Sequence, residues 1–421
     1  MPEYFSALEQ WYRTAVASEC TVPATGLWEG PAWSAWLQAA LRAATRRLPR
    51  SPAVQIIDLS RTPFDVDAVM AGIAQFPETA VYCVSPLTQN VTLATRVADL
   101  LRRDGLSVVA GGPISGQLDR QHFTSVFHGR VEAALDRFLV WFGSILQITP
   151  SALSLSLDSL ADHLDYSWAA PRYRIDTMYM RTFTHHGCPL ACSFCADRLT
   201  GAAVVPAPLL ENDLRALSAT FQSRTALYIG DLTFGISRES VRNLEIALAD
   251  LRDQCGRTFR LIVQTNPSLV TSEFANVLHQ LGVAVVEIGV ESANADSVRR
   301  ALKSRPSTAW LEEKFRMLQD AALRVAGNLV VGLPWDGVDE YAETEDFVRK
   351  WRHEVWFNVY GFVPYPSTPI FDQLVKDRKI ADWDFSNWRE GAPFVFHPYR
   401  MPAQLAYEGF IKILRAAIGG D

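Results

Sequence analysis

HHGCPLACSFCAD, residues 185–197, gathers three of the chain's six cysteines, Cys188, Cys192 and Cys195, at the spacing C-x3-C-x2-C. The other three, Cys20, Cys83 and Cys255, stand singly. That is too sparse for a disulfide scaffold and no pattern of a secreted chain. Three thiolates on one loop suit one inorganic centre. They satisfy three irons of a 4Fe–4S cluster and leave the fourth open. A structural zinc site is the alternative; it wants four closed ligands, so His185 or His186 would have to join, there being no second C-x2-C pair. A redox pair of Cys192 and Cys195 would leave Cys188 without a role. The count of three favours the cluster.

The loop follows YMRTFTH (179–185), the first of six apolar segments that read as strands. The others are ALYIGD (226–231), RLIVQTN (260–266), VAVVEIGVE (283–291), GNLVVGLP (327–334) and FNVYGFVP (357–364). Helical patterns fit between them at 209–222, 237–254, 271–281, 309–324 and 338–353. Six such repeats predict a partial parallel (β/α)6 barrel over 178–370, with the cysteine loop at the mouth where such folds hold their chemistry. Alternation puts Val285, Glu287, Gly289 and Glu291 on one strand face, so both carboxylates are expected inside the barrel. Gln264, Asn266, Asn328, Asn358 and Tyr360 are expected to join them. A buried charge without partners is costly. Inward polar groups on four strands are therefore read as a ligand cavity in preference to a self-satisfied network.

Upstream, residues 1–50 read as a helical lead-in that packs on the next unit, with Trp33, Trp36, Leu37, Ala40 and Leu41 at helical spacing before Pro49 and Pro52. Residues 51–145 alternate again: strands VQIIDL (54–59), AVYCVS (80–85), SVVAGG (107–112) and SVFHG (125–129), with helices from Phe64 to Phe76, around Leu93, Val97, Leu100 and Leu101, and from Val131 to Phe142. That is a Rossmann-like, doubly wound parallel sheet, although ECTVPATGLW (19–28) is a poor buried strand. Residues 146–177 read as a connector and 371–421 as a C-terminal extension. The expected fold class is thus α/β.

Composition agrees with a globular enzyme: 421 residues, 48% hydrophobic and 20% charged, net charge −6. At about 150 residues per domain the chain should hold two or three. The charge balance does not advertise the basic surface that nucleic acid requires. No apolar run approaches the roughly 18 residues of a membrane span, and the N-terminus lacks a signal-peptide pattern. A cytoplasmic protein with neither nucleic-acid nor membrane partners is expected.

The loop, with Phe194 before its last cysteine, resembles the radical S-adenosylmethionine (SAM) superfamily, and the likeness extends over about residues 178–370. YIGDLTFG (228–235) looks like that family's second-strand segment near the methionyl amine, VEIGVES (286–292) like its fourth-strand segment, and GNLVVGLPWDG (327–337) like the fifth-strand glycine motif near the adenine. VPYPSTPIF (363–371) resembles its sixth-strand signature, with Ser367 where glycine is usual. The resemblance implies a 4Fe–4S cluster on Cys188, Cys192 and Cys195, whose open iron chelates S-adenosylmethionine. Phe194, Asp231, Gln264, Asn266, Glu291 and Gly332 are the implied cofactor contacts. Glu287, Glu291 and Tyr360, with Asp231 and Tyr228, are candidates for proton chemistry.

CVSPLTQN (83–90), VVAGGPISG (108–116) and VFHGRVEAALDRFL (126–139) resemble the cobalamin-binding domain that precedes the barrel in many such enzymes. Ser85, Leu87, Thr88, Gly111 and Gly112 would then lie along the nucleotide tail of cobalamin, small residues allowing close backbone approach. The D-x-H-x-x-G loop of cobalt-ligating domains is absent. The family implies reductive cleavage of S-adenosylmethionine to a 5′-deoxyadenosyl radical, hydrogen abstraction from an unactivated carbon of a small metabolite, and a flavodoxin- or ferredoxin-type electron donor. With cobalamin the expected outcome is C-methylation in natural-product biosynthesis. Without it, a lyase or epimerase outcome is expected: diol dehydration, epimerisation or cyclisation of a sugar or amino sugar. A non-catalytic iron–sulfur or zinc module is the reading from another class.

Overall fold

The computed structural model describes residues 1–16, 32–45, 53–56, 65–77, 79, 81–112, 114–128, 131–145, 147, 160, 163–167, 180–220, 226–301 and 307–420. In chain order its elements are α1 (Pro2–Ala15), α2 (Ala32–Thr45), α3 (Val66–Ile73), β1 (Val81–Val84), α4 (Val91–Arg103), β2 (Ser107–Ala110), β3 (Ser125–Val126), α5 (Val131–Ile145), β4 (Met180–Thr182), β5 (His185–His186), β6 (Ala203–Val204), α6 (Ala207–Thr220) and β7 (Ala226–Ile229). Then come α7 (Arg238–Cys255), β8 (Arg260–Thr265), α8 (Ser272–Gln280), β9 (Val283–Glu291), α9 (Ala295–Arg300), α10 (Thr308–Asp320), β10 (Arg324–Val331), α11 (Val338–Trp351), β11 (Trp356–Gly361), α12 (Pro369–Lys376) and α13 (Ala403–Ala417). Among them, no helix is long and apolar enough to cross a membrane.

Two units emerge, each drawn from separated stretches. One gathers Met1–Ala32, Leu164–Phe362 and His397–Asp421; the other gathers Trp33–His163 and Val363–Phe396. The segment read as one lead-in, 1–50, is therefore divided, and so is the C-terminal extension.

The first unit is built on six parallel strands in the order β11-β10-β9-β8-β7-β4. All were legible as apolar runs, and β9 has the expected bounds; β10 begins three residues before the expected Gly327, at Arg324. Strands covered on both faces need apolar residues throughout, and eight of the nine β9 residues are buried. Local signals set the helix ends. Ser237 caps α7 by accepting from the Ser240 amide, and Gly256 ends it in the left-handed conformation.

Helix α1 belongs to the first unit. Its stripe of Tyr4, Leu8 and Tyr12 is buried, and it lies on β11, an edge of the six-stranded sheet. The Tyr4 hydroxyl donates to the Phe357 carbonyl (2.8 Å) and accepts from the Val359 amide (2.9 Å). Those are the two groups that the residue of a neighbouring parallel strand would engage, so one side chain closes part of an exposed edge.

The second unit holds a parallel sheet of three strands, β1-β2-β3. A fourth was expected at 54–59. Residues 53–56 carry no strand, and 57–59 lie outside the described residues. Amphipathic α4 and α3 bury Val97, Leu101, Val69 and Ile73 beside Val108 and Phe123.

Asp213 of α6 is wholly buried in the first unit, where it accepts hydrogen bonds from Tyr166 and Thr182. Burial outweighs those bonds and pushes its carboxyl up to about 6. A folded-state value above the unfolded one means the native state binds the proton more tightly. Stability should therefore fall as pH rises from about 4 to about 6, by about 3 kcal/mol from this group. Asp213→Asn should flatten that slope in urea unfolding across the window.

Candidate active site

The cysteine loop is closed at its stem by β5 and β6, which pair antiparallel, His185 opposite Val204. Gly187 has φ +97°, and a Cβ there would sit 2.2 Å from the Gly201 carbonyl oxygen, so only glycine lets the two sides of the stem approach. Inside the loop, the Cys188 amide donates to Thr200 Oγ1 (3.0 Å) and the Thr200 amide to the Cys188 carbonyl (3.0 Å). The Ser193 amide donates to the Ala301 carbonyl (2.9 Å), tying the loop to the end of α9.

Asp231, just past β7, anchors the stem. One carboxylate oxygen accepts from the amides of Thr184 (2.8 Å) and His185 (3.3 Å). The other accepts from the Thr184 hydroxyl and lies 3.0 Å from His185 Nδ1. Asp231 and His185 are both buried. The residue expected to meet a cofactor thus has both oxygens engaged with the loop.

Cys188, Cys192 and Cys195 stand in no disulfide, the first two buried and the third half-buried. Cys188 Sγ lies 3.6 Å from Thr233 Oγ1. Burial first, then the charges of Asp197, Cys192 and Cys188, push the Cys195 thiol up to about 11. Binding to a cationic centre takes the proton from such a thiol. Three thiols on one short loop, two of them buried, are a donor set that fits three irons of a 4Fe–4S cluster. Phe194 is half-buried within the loop, and Gly332 follows β10 with φ +94°.

The inward polar row is present, and it is occupied by the chain itself. Glu287 accepts from the Tyr12 hydroxyl (2.6 Å) and, on its other oxygen, from the Tyr228 hydroxyl (3.2 Å). Asn358 Nδ2 donates to Tyr12 (3.2 Å) and to Asn328 Oδ1 (2.8 Å). Tyr12 is fully buried and Glu287 is 4% exposed. Around Glu287 the row satisfies its own hydrogen bonds, and Tyr12 fills the place beside that carboxylate. Burial raises the Glu287 carboxyl above the usual range against the lowering pull of Tyr12, Tyr228, Asn328 and Arg181. Arg181, Tyr228, Gln264 and Tyr360 remain half-buried, with the Arg181 guanidinium 5.3 Å from the Tyr228 ring centre.

Glu291 departs from the expected phase. Gly289 pairs with Asn328 but Glu291 pairs with Leu329, so Val290 is an extra residue in the strand. Such a bulge shifts the residues beyond it to the opposite face. Glu291 takes φ +63° and lines a small pocket with Asp336, Tyr341 and Thr344. Asn266 also plays a local part, because its Oδ1 accepts from the Ser268 amide (2.9 Å) and caps the turn Pro267–Leu269.

In the second unit Ser85, Leu87 and Thr88 follow β1, and Gly111 and Gly112 follow β2. Gly112 has φ +94°, and a Cβ on it would meet Ser85 Oγ at 2.3 Å. The predicted contacts Ser85 and Gly112 are therefore neighbours, with room for backbone only. Thr88 is buried and Leu87 exposed. Ser367, at the position where glycine was the expected residue, has φ +69° and accepts from Gln117 Nε2 (2.7 Å).

Residues 182–348 match the family profile described as the radical SAM superfamily. Residues 182–348, from the end of β4 into α11, are thus similar to a radical SAM domain. Such a domain implies a 4Fe–4S cluster and S-adenosylmethionine. No curated protein matches the chain. Among solved structures, the cobalamin-dependent S-adenosylmethionine radical enzyme OxsB, with aqua-cobalamin and S-adenosylmethionine bound, is similar to 88% of this chain with TM-score 0.64 and 14% identity. The radical S-adenosylmethionine methyltransferase TsrM from Kitasatospora setae, with cobalamin and a 4Fe–4S cluster bound, is similar to 81% of this chain and 72% of its own, with TM-score 0.61 and 14% identity. At those identities the likeness is one of fold. The chain spans 62% of the length of OxsB.

The signal that sequence reading missed is the tyrosine pair of α1. Tyr4, Leu8 and Tyr12 form an i, i+4, i+8 stripe, but nothing local says what the stripe meets. Since Asp231 collects the stem's donors, Asp231→Asn should cost about 2 kcal/mol and lower iron incorporation severalfold in anaerobic reconstitution. Unchanged iron content and melting temperature would remove Asp231 from the anchor role.

Proposed function

We infer that the protein is a cobalamin-dependent radical SAM enzyme that methylates an unactivated carbon of a small molecule. The observation that carries this reading is the extent of the fold likeness to OxsB and TsrM. It covers 88% and 81% of the chain, well beyond the residues 182–348 that match the family profile. Gly112 packs its backbone on Ser85, which holds the ends of β1 and β2 together where the resemblance puts the cobalamin tail.

Cys188, Cys192 and Cys195 would hold the cluster, and Ser85, Leu87, Thr88, Gly111 and Gly112 the cobalamin tail. When bound, the cluster and S-adenosylmethionine supply a deoxyadenosyl radical, and cobalamin a transferable methyl group. The chain's own residues position the reactants and exclude water. Asp231 fixes the cysteine loop. With Glu287 engaged by the chain's own tyrosines, the half-buried Tyr360, Gln264 and Arg181 are the polar groups that can orient a substrate. Glu287 supports that layer, its two oxygens being held by tyrosines. A flavodoxin- or ferredoxin-type donor and a cytoplasmic setting belong to the same reading.

Full-length protein reconstituted anaerobically with iron, sulfide and hydroxocobalamin should retain about four irons and about one cobalt per chain after desalting. Iron without cobalt would defeat the methylation reading and leave cobalamin-independent radical chemistry. Cys192→Ala should abolish absorption near 400 nm (about that wavelength for thiolate-ligated iron) and formation of deoxyadenosine. Gly112→Ala should weaken cobalt retention at least about tenfold while leaving iron content unchanged, since its Cβ would collide with Ser85.

A further inference from the structure

Three facts about α1 converge. Its Tyr4 hydroxyl engages the carbonyl of Phe357 and the amide of Val359, taking the hydrogen-bonding place of a seventh strand on β11. Its Tyr12 reaches the barrel interior and donates to a carboxylate 275 residues away in sequence. The same carboxylate receives Tyr228, whose ring the Arg181 guanidinium faces at 5.3 Å. Residues 2–15 lie outside the 182–348 that match the family profile. The part of the chain carrying the radical SAM signature therefore does not complete its own barrel.

We propose that α1 is a working wall of the radical SAM barrel and that Tyr12 is a positioning residue, holding Glu287 so that Glu287 in turn fixes Tyr228 beneath the half-buried, reactant-facing layer. The titratable and charged groups facing Glu287 are Tyr12 from α1, Arg181 from β4 and Tyr228 from β7, and Tyr360 of β11 acts on the two tyrosines. Of the two tyrosine donors, Tyr12 makes the shorter bond, and it is wholly buried. Without it, a buried carboxylate would lack a donor that no water could replace, an expensive state for an ionisable group. A tyrosine that merely filled space would show no such dependence on the charge it faces. The inference rests on contacts within the barrel, so the presence or absence of bound cobalt does not affect it.

The test uses the full chain in four forms: parent, Tyr12→Phe, Glu287→Gln, and the two substitutions together. Tyr12→Phe should reduce the folding equilibrium constant by about ten- to a hundredfold. Adding Glu287→Gln should recover most of that loss, because a neutral amide tolerates the missing donor. Losses that simply add, with no recovery, would overturn the positioning role. Should Tyr12→Phe not accumulate as folded protein, soluble double variant would carry the same support, and a double variant equally insoluble the same refutation. Hydrogen exchange on the parent gives an independent reading. Amides of α1 should be protected to the level of β11, whereas exchange at the rate of a free peptide would overturn the wall assignment.

Discussion

A carboxylate buried inside a parallel sheet must be surrounded by donors, and much of this barrel's architecture depends on where Glu287 finds them. Its strand, β9, lies third in the sheet order and is buried on both faces, so water is not available to it. Tyr228 comes from within the barrel, two strands away. Tyr12 comes from a helix at the far end of the chain, and Asn358 and Asn328 complete the row around it. An isolated charge there would be destabilising by several kcal/mol on general grounds. The network turns that liability into a constraint on α1, β7, β9, β10 and β11 together.

The second constraint lies at the loop. A thiol-bearing loop of this length needs a rigid stem if its three sulfurs are to meet one cluster. The stem has a two-residue strand pair, a glycine with no space for a side chain, and a single carboxylate receiving Thr184 and His185. Asp231 is thus placed to set the loop's position relative to β7. Thr233, two residues on, reaches the Cys188 sulfur. The YIGDLTFG segment therefore serves the cluster loop through two of its side chains.

The bulge at Val290 separates two carboxylates that strict alternation would pair. Glu287 stays inside, and Glu291 turns to a pocket lined by α11 residues. One extra residue in a strand is enough to exchange faces, and a non-glycine residue at φ +63° carries the turn. In the second unit, close approach is likewise decided by backbone shape: Gly112 comes to Ser85 because it has no Cβ.

Periodicity made all six barrel strands and five of the helices between them legible, though not α9, because buried parallel strands and amphipathic helices write their environment into local composition. The cysteine spacing made the cluster loop legible, since thiolate ligation has few alternatives at that count. The clustering of Ser85 with the paired glycines could also be read before the fold was in view. Tertiary structure alone decided the rest. It assigned α1 to the barrel, because an amphipathic stripe states that it will be buried but not against what. It gave Glu287 its donor Tyr12, because hydrogen-bond partners 275 residues apart leave no local trace. It moved Glu291 to the other face, because a bulge arises from how two strands register against each other, a property that neither strand holds by itself.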